Sequence, residues 1–403
     1  MNDERWLLPA GIEEVLPPQA AEMERLRRAL LDLYAGWGYE LVIPPFIDYL
    51  ESLLTGTGHD LDLRTFKITD QLSGRMLGVR ADMTPQVARI DAHQLKCELP
   101  TRLCYLGTVL HTRTDGFAGT RSPMQIGAEI YGHDGAESDV EVLRLMVATL
   151  ATAGIESAYL DLGHVGIYRG LARQAGLDHA QEMGLFDALQ RKAVDEISEL
   201  VDRFDVDRKV GAMLLSLAEL NGTDALAQAA DALAAAAAPV KTALDRLRQV
   251  AEETQRWLPD LPIHFDLAEL RGYTYKTGVV FAAFVPGWGL EIARGGRYDD
   301  IGRVFGRARP AVGFSSDLKG LIALAGKPGD GADHGRADAV LAPWDADPVL
   351  QTEVSRLRAA GRRVVQVLPG QSTDPEAMGC SQLLELVDGA WQLRPVNGAD
   401  RCS

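Results

Sequence analysis

Cysteine is scarce in this 403-residue chain, and Cys97, Cys104, Cys380 and Cys402 show neither paired metal-ligand spacing nor the density of a secreted disulfide scaffold. They read as reduced thiols, and no metal site is expected. No stretch of about 18 consecutive apolar residues occurs, and Met1 to Leu16 lacks a basic start followed by an apolar run. Neither membrane insertion nor export is indicated, so the expected location is the cytoplasm. Basic charge is also short: 41 Lys and Arg against 57 Asp and Glu leave a formal net charge of -16. A nucleic-acid backbone would meet a repulsive average field unless cations cluster locally, which disfavours such a partner.

What is present is ordinary for a globular protein, 46% hydrophobic and 24% charged, and long enough for two or more domains. After Pro17-Pro18, apolar residues at helical spacing (Met23, Leu26, Leu30, Leu33, Trp37) predict an amphipathic helix ending near Gly36 and Gly38. A strand from Tyr39 to Ile43 runs into Pro44-Pro45, and Phe66 to Arg80 suits a hairpin turning at Ser73-Gly74. Further strands are predicted at Leu103 to Leu110, Gln125 to Tyr131, Tyr159 to Leu162, Ile263 to Leu267, Val279 to Phe284 and Leu290 to Ala293, with helices at Ser138 to Ala153 and after Ser316. Between Leu177 and Trp257 the sequence is Ala-rich, nearly free of strand signals, and broken at Asn221-Gly222 and Pro239, which predicts a helical insertion.

A glycine-rich stretch, 326–336, reads as a linker, and 337–403 as a small α/β module in the order strand, helix, strand, strand. The fold class is therefore α+β: an antiparallel sheet flanked by helices in 1–325, with the insertion at about 177–257, followed by the small module.

Several blocks stand in one order. Gly38 to Asp48 after a long helix resembles motif 1 of class II aminoacyl-tRNA synthetases. Leu77-Gly78-Val79-Arg80-Ala81-Asp82-Met83-Thr84 resembles the Leu-Arg-Pro-Glu-x-Thr element of histidyl-tRNA synthetases, with Ala81 for Pro and Asp82 for Glu. Tyr105-Leu106-Gly107 and Gln125 to Gly132 resemble the two strands of motif 2. Leu270 to Gly278 resembles the histidine-specific Arg-Gly-Leu-Asp-Tyr-Tyr-Thr-Gly signature, with Lys276 at its second Tyr. Arg294 to Asp299, then Ala311 to Phe314, resemble the Gly-Gly-Arg-Tyr-Asp element and the entry to motif 3. The blocks span roughly residues 5 to 325 in family order.

A free amino acid offers an ammonium, a carboxylate and a side chain, so its pocket needs acid, donor and orienting groups from several strands. The resemblance implies that Asp82 and Thr84 meet a histidine ammonium with Gln125 beside them, that Arg271 approaches the carboxylate, and that Glu129 hydrogen-bonds the ring. Tyr273, Tyr275 or Tyr298 would wall the imidazole, and Gly295-Gly296 would let backbone come close to the ligand.

Class II synthetases hold the ATP phosphates with arginines of motifs 2 and 3, and such chemistry is mostly positioning and charge stabilisation. Spacing from Gly107 and Gln125 places His111 where the motif 2 arginine belongs; a two-residue slip would bring in Arg113 instead. In motif 3, Asp317-Leu318-Lys319-Gly320 stands for Gly-Leu-Glu-Arg, with Gly320 at the arginine. Histidine cannot form the planar two-toothed grip of arginine on a phosphate. A kept pocket beside lost arginines is similar to the regulatory subunits of short-form ATP phosphoribosyltransferase. That resemblance implies a non-catalytic role: needing no cofactor, the chain would bind histidine, pair as a homodimer through motif 1, and join the catalytic transferase in a hetero-octamer that histidine inhibits. An active or degenerate histidyl-tRNA synthetase and a stand-alone histidine sensor are the alternatives.

Overall fold

In the computed structural model the described residues are 6–54, 59–114, 119–325, 339–371, 374–375 and 377–396. The chain divides into two compact units, Met1–Ala325 and Gly326–Ser403. The stretch 326–336, read from composition as a linker, lies outside the described residues.

The strands of the first unit are β1 (Glu40–Leu41), β2 (Ile47–Tyr49), β3 (Phe66–Thr69), β4 (Met76–Val79), β5 (Thr101–Thr108), β6 (Met124–Tyr131), β7 (Tyr159–His164), β8 (Asn221–Gly222), β9 (Ile263–Asp266), β10 (Val279–Phe284), β11 (Ala293–Arg297) and β12 (Ala311–Asp317). Nine of them form one sheet in the order β1-β5-β6-β12-β11-β10-β7-β9-β8. Every neighbouring pair is antiparallel except β1 with β5 and β7 with β9. A separate sheet, β2-β4-β3, carries the hairpin, whose tight turn has Gly74 at φ +71°.

β6 shows how period-two alternation builds the molecule. Ile126, Ala128 and Ile130 point to one face and are buried, packed in the core with Leu143 and Met146 of the helix Ala136–Thr152. Gln125, Gly127 and Glu129 point to the other. The helix Gln19–Gly36 closes the same core through Leu30 and Tyr34, whose hydroxyl lies 3.1 Å from Thr149 Oγ1.

Helices fill the segment between β7 and β9, running from Val165–Gln174 to Ala238–Trp257. The helix His179–Gln190 starts at a capping box: Asp178 accepts from the Gln181 backbone N–H at 2.9 Å, and the Gln181 side chain accepts from the Asp178 N–H at 3.0 Å.

In the first unit, three sequence expectations need correction. The strand read at Leu290 to Ala293 is instead Ala293–Arg297. Glycine disfavours strands, but here the sheet demands it: a Cβ on Gly295 would run into the Gly313 carbonyl oxygen and the Phe281 ring. Asn221-Gly222, read as a break, is the edge strand β8, paired with Asp266 and Phe265. The strand of motif 1 is only two residues long, because Pro44 and Pro45 have no N–H to continue the ladder.

In the second unit, β13 (Val340–Ala342), β14 (Val364–Gln366), β15 (Gln382–Val387) and β16 (Ala390–Pro395) form a sheet in the order β14-β13-β15-β16. The helix Pro348–Ala359 buries Leu350, Val354 and Leu357, spaced at i, i+4 and i+7. β16, antiparallel to β15, is a fourth strand beyond the three expected. Its Trp391 is fixed by an indole N–H donated to Asp347 at 2.7 Å.

Candidate functional site

One cavity of about 570 Å³ opens on the polar face of the main sheet. Its floor is made by antiparallel register: Glu129 lies opposite Gly313, and Gln125 opposite both Gly107 and Asp317. Glycines make room for the larger groups beside them. A Cβ on Gly127 would strike the Tyr105 hydroxyl, and one on Gly313 would fall inside the Glu129 carboxylate.

All eight residues picked out from the sequence line this cavity: Asp82, Thr84, Gln125, Glu129, Arg271, Tyr273, Tyr275 and Tyr298. Glu129 is 1% exposed and accepts hydrogen bonds from Tyr105 Oη at 2.9 Å, from Thr84 Oγ1 at 3.2 Å and from the Tyr298 hydroxyl. Burial pushes its carboxyl up to about 8, against the pull of those hydroxyls. Asp82 Oδ1 accepts from Gln125 Nε2 at 2.8 Å and from the Thr84 N–H at 3.0 Å, while Gln125 Oε1 accepts from the Met83 N–H at 2.9 Å. The Asp82 loop is anchored by the neighbouring Arg80, which donates to the carbonyls of Thr108 and Pro44 at 2.9 and 2.8 Å.

The other groups serve less simply than their pattern suggests. Arg271 reaches the cavity with its guanidinium paired to Glu269 at 3.2 Å and to Glu291, so a ligand carboxylate would have to share it. Tyr273 gives the cavity a ring edge, but the ring is stacked on Phe186 at 5.3 Å and its hydroxyl donates to Glu182, both on the helix His179–Gln190. Tyr275 is the most exposed of the three tyrosines. Gly295 and Gly296, read as places for ligand approach, do line the cavity, yet a Cβ on Gly296 would also stand 2.7 Å from the Val279 carbonyl oxygen.

Several lining residues escaped the sequence reading. Met183, Phe186, Asp187 and Gln190 come from the helical insertion, which no strand pattern connects to the sheet. Lys276 is buried, donates from Nζ to the Gly295 carbonyl at 2.7 Å, and is brought down to about 7 by burial. Its place in the signature was the available signal. Arg64 lies 3.3 Å from His111 Nδ1, and nothing in its local sequence points there. His111 itself is buried on the cavity wall, with Nε2 2.9 Å from the Ala81 carbonyl. A carbonyl only accepts and a guanidinium only donates, so this geometry suits a neutral ring protonated on Nε2. Arg113 is exposed and is not among the lining residues. Among the described residues no group of three or more His, Cys, Asp or Glu side chains is placed to hold a metal ion.

The raised Glu129 carboxyl has a measurable sign. An acid held neutral in the folded state and free to ionise in the unfolded chain contributes stability that is present below about 4.5 and is lost as pH rises through about 8. Against Glu129→Gln, the wild type is therefore expected to lose on the order of 1 kcal/mol per pH unit between those limits and to level off above them. Paired urea titrations across this range test it; parallel curves would remove the claim.

Residues 11–321 match the family model described as Histidyl-tRNA synthetase, and residues 337–394 match that of the ATP phosphoribosyltransferase subunit HisZ C-terminal domain. A protein of Alkalilimnicola ehrlichii named ATP phosphoribosyltransferase regulatory subunit is 59% identical over 398 residues, covering 98% of each chain. One of Thioalkalivibrio sulfidiphilus with the same name is 60% identical over 384 residues, covering 95% of this chain and 96% of the relative. The solved structure of an ATP phosphoribosyltransferase regulatory subunit/histidyl-tRNA synthetase from Bacillus halodurans superimposes with a TM-score of 0.81 at 26% identity, covering 94% of this chain and 97% of that one. The class II synthetase-like fold, a largely antiparallel sheet flanked by helices, is thus shared along almost the whole chain, and with identity near 60% over nearly its full length the chain belongs to the family of ATP phosphoribosyltransferase regulatory subunits.

Proposed function

We propose that this chain binds free histidine in the cavity and transmits its occupancy to a catalytic, short-form ATP phosphoribosyltransferase, which it both activates and makes sensitive to feedback. The observation that carries this reading is the convergence of a buried, hydroxyl-held Glu129 and an Asp82–Gln125 pair on one cavity whose wall presents His111. Glu129 faces the imidazole N–H, Asp82 with Thr84 and Gln125 takes the ammonium, and Arg271 turns part of its guanidinium to the carboxylate. Tyr298 and Tyr275 flank the ring, and Tyr273 carries the effect of occupancy into the insertion through Glu182 and Phe186.

Adenylation is absent in this reading. The imidazole of His111 is occupied by Ala81 and Arg64, and Gly320, in the helix Leu318–Ala325, has no side chain to offer a phosphate. The partner surfaces follow the same resemblance: a homodimer through the motif 1 region, where Ile43, Leu41, Phe46 and Ile47 are exposed, and a hetero-octamer with the transferase. Regulation requires only that histidine bind one assembly state better than another, by about 1 to 3 kcal/mol.

Mixing the purified chain with the catalytic subunit tests this. The transferase rate is expected to change on mixing and to fall when histidine is added, with no histidine-dependent ATP–pyrophosphate exchange. Transferase kinetics indifferent to the chain would reject the regulatory role, and robust exchange would reject the loss of adenylation.

A further inference from the structure

A second cavity, of about 370 Å³, lies behind the signature loop, between the helices Val165–Gln174 and Ala238–Trp257 and the ends of β10 and β11. Arg169, Arg173, Arg246 and Arg297 face it, on a chain whose net charge is -16. Arg297 is neutralised by Asp139 and Asp299. The other three are not matched in this way. Arg169 donates to the carbonyls of Tyr273 and Lys276, at 2.7 and 3.0 Å, lies over the Tyr273 ring and interacts with the Tyr273 hydroxyl. Arg246 donates to the Asp134 carbonyl at 2.5 Å and approaches its largely exposed carboxylate only at 3.9 Å. Arg173 is exposed, and its side chain makes no hydrogen bond or ion pair among the described residues.

Carboxylates are present too. Asp299 is taken up by Thr277, Arg297 and the Ala311 N–H, while Asp134 and Asp300 stand among the lining residues. His164 lines the cavity as a neutral group: burial, then Arg246 and Arg169, bring it down to about 3, which reports the positive field there. Three guanidinium groups converging on one cavity, of which only Arg246 has a carboxylate within 4 Å, that of the largely exposed Asp134, suit the oxygens of a phosphate.

We infer that this arginine-lined cavity is a second ligand site, for a small molecule bearing a phosphate or pyrophosphate group. It is distinct from the proposed histidine site and is joined to it by a short path. Arg169 holds the carbonyls of Tyr273 and Lys276, and the next residues, Thr277 and Gly278, line the second cavity while Arg271 to Lys276 line the first. An anion that draws Arg169 toward itself therefore competes with the bonds that fix the signature loop.

Inorganic pyrophosphate is the probe. Calorimetry on the full chain, at constant ionic strength set with chloride, is expected to show binding that weakens at least tenfold in the double variant Arg173→Ala/Arg246→Gln. The same variant should keep its wild-type melting temperature. Arg294→Ala, which removes a cation of the first cavity, should leave pyrophosphate binding unchanged. The inference is overturned if the wild type shows no binding at millimolar pyrophosphate, if the double variant binds as well as the wild type, or if Arg294→Ala abolishes binding. Histidine titrations of the same proteins report separately on the first cavity, so failure of one site does not imply failure of the other.

Discussion

Gly313→Ala is expected to abolish histidine binding, weakening it by about two orders of magnitude or more, because the new methyl group takes the space of the Glu129 carboxylate. The glycine sits in β12 directly opposite Glu129 in β6, so neither backbone can retreat without breaking ladder hydrogen bonds on both sides. The side chain must leave instead, parting from the hydroxyls of Tyr105, Tyr298 and Thr84. Overpacking a well-filled core costs about 1 to 3 kcal/mol, so the melting temperature should fall by several degrees as well. The double variant Gly313→Ala/Glu129→Ala separates the two effects. Removing the carboxylate relieves the largest collision and leaves the new methyl 2.7 Å from the Ala128 carbonyl oxygen, so stability should return part of the way toward that of Glu129→Ala while histidine binding stays lost. Normal histidine affinity in Gly313→Ala would show that Glu129 does not touch the ligand.

Arg297→Met is expected to cost about 3 to 5 kcal/mol of stability at pH 7. Arg297 is 4% exposed and donates to Asp139 at 3.0 Å, to Ser138 Oγ at 2.8 Å, to Asp299 at 3.2 Å, and to the carbonyls of His133 and Gly135. It joins β11 to the start of the helix Ala136–Thr152. Without it, the fully buried Asp139 loses the cation bonded to it and is left with the longer-range field of Arg246. Burial already raises that carboxyl to about 6 with the arginine in place. Losing the cation raises it further, so the deficit of the variant should shrink as pH is lowered and Asp139 takes up a proton. Replacing both partners, Arg297→Met with Asp139→Leu, should recover much of the loss, since two apolar groups leave no buried charge behind. Urea unfolding at pH 7 and pH 5 measures all of this. A loss below about 1 kcal/mol for Arg297→Met would mean that the cluster contributes little.

The two variants probe different kinds of information. Gln125 and Glu129 stand four apart on one strand, so their common face follows from period-two alternation alone, and the ordered motifs attach a ligand role to them. Asp82 and Thr84 were legible from the same ordered motifs, though only the structure puts Asp82 on a short loop and Thr84 at the start of the helix Thr84–Arg89. The helix Gln19–Gly36 was readable because it buries one face and wets the other, and a central strand such as β10, buried along nearly its whole length, because it is a short apolar run rich in Val and Phe. β11 was not, since its glycines answer to Phe281 and Gly313, residues far away in the chain.

By itself, then, the sequence determined the motif order, the class of fold, and eight of the residues that meet in the first cavity, because short-range periodicity and motif spacing are local properties of the chain. Only the tertiary structure decided how those residues are engaged: that Arg271 is already paired, that the Tyr273 hydroxyl belongs to Glu182, that His111 rather than Arg113 faces the cavity, and that four arginines from three elements surround a second one. Those juxtapositions bring together residues as much as 128 positions apart, as Arg169 and Arg297 around the second cavity are, and they follow from strand register and helix placement.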